Sequence, residues 1–318
     1  MATVATTRRL PFSRRAKARA GGELERPMPM RRQIAMQLIC LFITLTVLFP
    51  IIWIVSMSID PRNISRPDAL NLIPPGATLD AYAAVLQRPT ENDISFLGLM
   101  SNSLKIAVGS SMFAVGLGIT AAYAFSRLRF RGRETLMIAV LGVLMLPSVA
   151  TIIPLYVFLN QFKIDLFGAT FNLRASLVGV TLAVISGQLP FAIWNLKGYL
   201  DTIPKDLEEA ASVDGATQNQ VFTKVVLPLS TPAIAVTGFL GFLGGWSEYL
   251  TCYMFIGGNP NDWTLSIALN SLVGQFARTT SWSQFAAFAI LFALPVSVVF
   301  FFFQRYLVGG LAVGGVKG

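Results

Sequence analysis

The sequence predicts an all-α membrane protein with six transmembrane helices and both termini in the cytoplasm. Three observations carry that expectation. Of 318 residues, 54% are hydrophobic and only 13% charged, whereas a soluble globular domain has about a quarter charged. The apolar residues gather in runs long enough to cross a hydrocarbon layer of about 30 Å. Lys and Arg concentrate in segments that would stay on the cytoplasmic side.

The first span is Ile34 to Ile59, 26 residues without a charge. At about 1.5 Å per residue this is long enough to cross with some tilt, and it lacks the small-residue cleavage site of a signal peptide, so it is expected to be retained. Residues 60–101 contain Pro61, Pro67, Pro74, Pro75 and Pro89 and more acid than base, which reads as an extracytoplasmic loop with short helical pieces. Asn102 to Ser126 is the second span. Lys105 can snorkel from its first turn, and Gly109, Gly116 and Gly118 permit close helix contact. The basic stretch Arg127-Leu128-Arg129-Phe130-Arg131-Gly132-Arg133 is then cytoplasmic.

Leu136 to Leu159 is the third span, bent by Pro147 and Pro154. A short outside loop holds Lys163, Asp165 and Arg174, and Ser176 to Leu196 is the fourth span, interrupted by Pro190. Leu229 to Ile256 is the fifth, with Gly238, Gly241, Gly244 and Gly245 as a packing face. Glu248 falls near its outer end among Trp246, Tyr249 and Tyr253, as an interfacial anchor, a hydrogen-bond acceptor or a substrate contact. Asn259 to Ser283 is an outside loop with a helical or re-entrant piece over Leu265 to Phe276. Phe285 to Phe303, bent at Pro295, is the sixth span, and 304–318 is a cytoplasmic tail.

Composition also excludes chemistry. The chain has no His, the commonest general base and metal ligand, so no metal site is assigned. No Gly-x4-Gly-Lys-Ser/Thr, Gly-x-Ser-x-Gly or His-Glu-x-x-His string occurs, so no catalytic residue is assigned and any driving nucleotide has to bind another subunit. Cys40 and Cys252 lie in or beside apolar runs at opposite ends of the bilayer and form no disulfide framework. The formal charge of +9 does not indicate nucleic acid, because residues 1–32 hold nine Lys and Arg against Glu23 and Glu25 and leave only +2 for the rest. Residues 1–32 therefore read as a basic, disordered cytoplasmic tail and 33–318 as the domain embedded in the lipid bilayer.

Between the fourth and fifth spans lies a polar island, a predicted helical hairpin over 201–226. Pro204 suits a first helical turn, and Asp206, Glu208 and Glu209 set negative charge near the positive end of the macrodipole. Gly215 ends that helix. Thr217 and Gln220 have capping-box spacing, and the second helix is expected to run until Pro228. Glu209-Ala210-Ala211 offers one carboxylate and two small side chains, suited to a helix seated in a partner's groove; on those three residues alone a solvated loop helix is the plainer alternative.

The spacing narrows the choice. Glu209-Ala210-Ala211, three residues, Gly215, nine residues, Val225-x-Leu227-Pro228 resembles the EAA motif of ABC importer permeases, with Val225 where Ile is usual. Gln304-Arg305-Tyr306-Leu307-Val308 and Gly314-Gly315-Val316-Lys317-Gly318 resemble the C-terminus of the MalG-like branch of carbohydrate (maltose/trehalose-type) permeases. The resemblance extends from the first apolar run to the last residue and is weakest in the N-terminal tail.

It implies a type I ABC importer permease fold in a bacterial or archaeal cytoplasmic membrane, and a subunit that is not itself an enzyme. The implied function is ATP-driven, binding-protein-dependent import of a sugar such as maltose, maltodextrin or trehalose. The implied partners are a second, non-identical permease, a dimer of ATPase subunits that binds ATP and Mg, and an extracytoplasmic sugar-binding protein. By the same resemblance Glu209, Ala210, Ala211, Asp214, Gly215, Leu227 and Pro228 dock the ATPase. Gly315, Val316, Lys317 and Gly318 enter the ATPase dimer interface, and Gly274, Gln275, Arg278 and Thr279 reach the binding protein. Alternatives are an importer permease for a non-sugar solute and an ion-coupled secondary transporter. The latter needs ionisable groups near the midplane, whereas Lys105 and Glu248 lie toward the outer ends of their spans. An intramembrane enzyme ranks below both, since no nucleophile or acid–base pair is visible.

Overall fold

A computed structural model describes residues 29–63, 71–166, 169–273 and 281–314. The chain divides into two compact units, residues 1–53 and 54–318. The first is described from Pro29 onward and consists of most of one helix, α1 (Met30–Ser58), which carries Pro50 within it. Thr44 and Thr46 donate to the carbonyls of Cys40 and Phe42, 2.8 Å each, so their hydroxyls are satisfied inside the helix.

Besides a one-turn 3-10 helix at Pro260–Asp262, the second unit contains eleven further helices among its described residues, in the order α2 (Asp80–Gln87), α3 (Phe96–Arg127), α4 (Arg133–Leu144), α5 (Ser148–Asn160), α6 (Leu177–Leu200), α7 (Asp206–Val213), α8 (Gln218–Leu229), α9 (Thr231–Ser247), α10 (Leu250–Ile256), α11 (Leu265–Val273) and α12 (Trp282–Gly314). Between α5 and α6 a small antiparallel pair, β1 (Lys163–Leu166) and β2 (Ala169–Asn172), places Lys163 opposite Asn172 and Leu166 opposite Ala169. It occupies the stretch expected to be a plain loop.

Four helices are separately long and apolar enough to cross a membrane: Met30–Ser58, Phe96–Arg127, Leu177–Leu200 and Trp282–Tyr306. Two sharply bent pairs raise the number to six. The predicted third span is one of them, α4 and α5 meeting at 104°. The chain leaves α4 through a tight turn in which Met145 N donates to the Gly142 and Val143 carbonyls, and Pro147 (φ −62°, ψ 128°) precedes α5. Proline disfavours helical geometry in the residue before it and has no N–H to continue the ladder, so a break replaces the expected bend. Pro154, Pro190 and Pro295 stay inside continuous helices.

The predicted fifth span also breaks. α9 stops at Ser247, Glu248 turns extended (φ −66°, ψ 111°), and α10 starts at Leu250. The Glu248 carboxylate accepts from Thr251 N at 2.9 Å and its carbonyl accepts from Ser266 Oγ at 2.7 Å. Of the three roles open to Glu248, the structure shows the hydrogen-bond acceptor, capping an orphan N–H at the start of α10.

α3, α6 and α9 pack along one another. Ser95 and Ser176 cap α3 and α6 by accepting from Gly98 N and Gly179 N. Small residues set how close the helices come. A Cβ on Gly118 would stand 2.9 Å from Ala192 Cβ, and one on Gly245 would stand 2.6 Å from Ser110 Oγ and 2.8 Å from Ala107 Cα. Gly116, expected to serve the same purpose, meets nothing within 4 Å; its face of α3 is open. Gly245→Val should therefore destabilise the folded protein by about 2 kcal/mol or more through overpacking, seen as a lower melting temperature in detergent. Gly116→Ala should leave the melting temperature within about 0.5 kcal/mol of equivalent stability.

Candidate functional site

The polar island forms a helical hairpin, α7 and α8, joined to the end of α6. Lys205 O accepts from Glu208 N and Glu209 N at 2.9 and 3.0 Å, and α7 begins at Asp206. Pro204 falls two residues before the helix instead of in its first turn. Asp206, Glu208 and Glu209 occupy the first turn of α7, as the charge pattern requires.

α7 closes with a Schellman motif. Ala216 N donates to Ala211 O and Gly215 N to Ser212 O, with Gly215 left-handed at φ +87°. The second alanine of the Glu-Ala-Ala string serves the hairpin itself, since Ala211 and Ala216 both pack against the buried cluster of Leu196, Leu200, Ile203 and Val221.

Thr217 and Gln220 make the reciprocal capping box. Thr217 N donates to Gln220 Oε1 at 2.8 Å and Gln220 N to Thr217 Oγ1 at 3.4 Å. α8 does not stop at Pro228. A π-helical turn over Phe222–Val226, in which Leu227 N reaches back to Phe222 O, precedes the proline, and the helix continues to Leu229 before a 71° bend into α9. The widened turn spreads the carbonyls that a proline ring would meet in regular α-geometry.

One side chain holds the hairpin to the bundle. Arg127, in the last turn of α3, donates from Nε to Glu208 Oε1 at 2.5 Å and from Nη1 to Ser126 Oγ at 2.8 Å. Its Nη2 donates to the carbonyls of Leu200 and Ile203 at 2.9 and 3.0 Å. The pair is enclosed, the Arg127 and Glu208 side chains being 7% and 12% exposed. Ser126 Oγ in turn donates to Asp201 Oδ1 at 2.5 Å, and Lys197 Nζ meets Asp201 Oδ2 at 2.6 Å. Beside this network lies a cleft of about 490 Å³ whose walls include Tyr123, Lys205, Glu208, Glu209 and Gln218.

Burial of Asp201 pushes its carboxyl up, but the hydrogen bonds and charges of Lys197, Ser126 and Arg127 together hold it below the ordinary 3.8.

The predicted docking residues divide by exposure. Glu209, Ala210, Asp214, Gly215 and Pro228 are exposed, whereas Ala211 and Leu227 are half-buried. Leu207 and Val213, which the motif does not single out, stand 47% and 87% exposed. With Ala210 they recur every three residues along α7, an apolar stripe beside Glu209. An apolar residue inside an otherwise polar island was the available signal for both. Arg127 had none, because Arg127, Arg129, Arg131 and Arg133 look equivalent in the chain. Gly274, Gln275, Arg278 and Thr279, and the C-terminal Gly315, Val316, Lys317 and Gly318, lie outside the described residues, as does most of the basic tail.

Broken apolar helices around a close-packed centre, with an acid-rich hairpin clamped to one end, are the parts of a transporter's membrane subunit. The chain belongs to the family described as binding-protein-dependent transport system inner membrane component, whose sequence profile matches residues 114–313. It is 35% identical over 280 residues to the maltose/maltodextrin transport system permease protein MalG of Vibrio vulnificus (strain YJ016), covering 86% of this chain and 91% of that protein. To MalG of Escherichia coli (strain K12) it is 34% identical over 289 residues, covering 88% and 94%. A crystal structure of a bacterial ABC transporter involved in the import of the acidic polysaccharide alginate shares the fold, with a TM-score of 0.69 at 22% identity over 94% of this chain and all of that one. Family membership sets aside the ion-coupled secondary transporter.

Three outcomes test the network. Arg127→Met should destabilise the folded state by about 3 kcal/mol, the cost of leaving a buried partner charge unpaired, with faster proteolysis of the hairpin. Arg127→Met/Glu208→Met should recover only part, since the Leu200 and Ile203 carbonyls still lack their donor. A carboxyl held low when folded contributes its stabilisation in full above the unfolded value and loses it as pH falls through the lowered one. Melting temperature should accordingly fall below pH 3.8 more steeply in the wild-type protein than in Asp201→Asn.

Proposed function

We propose that this chain is one of two unlike permease subunits of an ATP-driven importer for a maltose-type sugar, maltose, maltodextrin or trehalose, in a bacterial inner membrane. The observation that carries the proposal is the hairpin itself. Its inner face is locked to α3 and α6 by Arg127, while Glu209, Ala210 and the Leu207/Val213 stripe stand exposed, in a chain about one-third identical to MalG permeases over most of its length.

An ATPase dimer, which binds the ATP and Mg, receives this face in a groove. Closure of the dimer on ATP pushes α7, and Arg127 makes α7, the end of α3 and the end of α6 move as one piece, so the push reaches the spans that line the path. The hairpin and both termini are cytoplasmic in this scheme. On the opposite side Gly274, Gln275, Arg278 and Thr279 meet a sugar-loaded binding protein, and Gly315 to Gly318 enter the interface of the ATPase dimer.

The purified complex with its partner subunits tests this. Binding protein loaded with a maltose-type sugar should stimulate ATP hydrolysis, and stimulation by a non-sugar solute alone would sink the sugar assignment. Glu209→Lys and Gly215→Pro should each abolish that stimulation, the second because proline cannot adopt φ +87°; normal stimulation in both rejects the docking role. Deleting 277–280 should cut sugar uptake while basal hydrolysis persists, and removing Val316 to Gly318 should weaken ATPase coupling without altering membrane insertion.

A further inference from the structure

Folding divides the four arginines that close α3 and open α4. Arg127 is taken up by the hairpin network. Arg129 and Arg131 are exposed and Arg133 is half-buried. Among the described residues none of these three side chains has a hydrogen-bond or ion-pair partner. Glu134 is the single carboxylate in the turn. α4 starts at Arg133 without a side-chain cap, so a cation stands where the helix end is already positive. The turn as a whole is short of negative charge.

Its depth in the bilayer follows from α3. Lys105 and Arg127 bracket a run, Ile106 to Ser126, that has no charged residue. At 1.5 Å per residue that run is about 31 Å long, the thickness of the hydrocarbon layer. Arg129, Arg131 and Arg133 therefore lie at the edge of the hydrocarbon, on the side of the hairpin. Leu136, the first apolar residue of α4, follows Arg133 by only about 4.5 Å of helix. Between the arginines Leu128 and Phe130 stand 38% and 39% exposed, and the Phe130 ring rests against Phe125 at 5.7 Å between centroids. Cationic side chains alternating with apolar ones at this depth reach the phosphates with their charges and the acyl boundary with their carbon.

Charge selects the partner. The neighbouring hairpin has Asp206, Glu208 and Glu209 in the first turn of α7, so a protein surface that complements it is basic and repels three free guanidinium groups. The negative surface available at the level of the turn is the membrane's own.

We propose that the α3–α4 turn is a binding site for anionic phospholipid, with Arg129, Arg131 and Arg133 on the headgroup phosphates and Leu128 and Phe130 at the acyl boundary. The guanidinium fork matches phosphate oxygens two at a time. Lipid held here anchors the end of α3, to which Arg127 ties the hairpin. The inference requires only that the chain spans a bilayer and stands apart from the sugar assignment.

The test uses the full-length protein in its importer complex, in phosphatidylcholine nanodiscs doped with a brominated lipid. Phe130→Trp places a fluorophore in the turn, and the signal of the five native tryptophans, measured without that substitution, is subtracted. Brominated phosphatidylglycerol should quench the fluorophore at a mole fraction at least tenfold lower than brominated phosphatidylcholine, since each arginine near an anionic surface contributes about fivefold. Adding Arg129→Gln, Arg131→Gln and Arg133→Gln should bring the two lipids within about twofold of each other. Raising the salt from about 0.1 M to about 1 M should do the same to the protein that keeps its arginines. Equal quenching by the two lipids at low salt, or a preference that survives the triple substitution, overturns the proposal. Quenching by neither lipid also overturns it, because the turn then lies off the membrane. Loss of the ATPase subunits from the triple variant in phosphatidylcholine alone assigns the arginines to the ATPase and overturns it as well. If the triple variant does not fold, Arg131→Gln and the salt titration decide: the first should cost about fivefold in preference, and no change in either overturns the site.

Discussion

The rest of the hairpin depends on the Arg127 guanidinium. The end of a helix leaves carbonyls without partners and carries partial negative charge, and the start of a helix carries the reverse. Arg127 meets both requirements together: its cation lies on the Leu200 and Ile203 carbonyls where α6 ends, and its Nε binds Glu208 where α7 begins. The planar fork has donors in several directions, which a lysine ammonium on the same stem cannot reproduce in fixed geometry. Three helix termini are thereby joined through one side chain that water barely reaches.

That joint explains the division of labour within the island. The Lys205 carbonyl, the Schellman turn and the capping box satisfy the ends of α7 and α8 locally, so a short polar segment keeps a defined shape. The inward alanines Ala211 and Ala216 let α7 lie close to the core, and the outward stripe is left free for a partner. The π-helical turn before Pro228 carries the chain without interruption toward α9, so movement of the hairpin and movement of the spans are mechanically linked.

In the bundle the governing constraint is that apolar surroundings offer no partner for a stray polar group. Two of the breaks bring their own partners: the tight turn before Pro147, and the Glu248 carboxylate over Thr251 N. Helix approach is set by Gly118 and Gly245, whose absent side chains bring backbones nearly into contact. Gln188 departs from this economy, its Nε2 donating to Gly241 O while its buried Oε1 has no hydrogen-bond partner.

Much was legible in the chain, because the signals involved are local. Apolar run length set the spans, glycine's access to positive φ set the end of α7 at Gly215, and Thr217 with Gln220 capped α8, all within a few residues of one another. The Glu-Ala-Ala spacing pointed to the hairpin for the same reason. What tertiary structure alone decided involves contacts distant in sequence. Arg127 was one of four similar arginines until folding set it beside residues 73 to 81 positions away. Gly116 and Gly118 were alike until Ala192 lay against one of them, and the break at Pro147 was read as a bend and the one at Glu248 as continuous helix, because periodicity reports apolar content but not axis direction. Local conformational preference is written residue by residue, whereas burial and the pairing of polar groups belong to the packed whole.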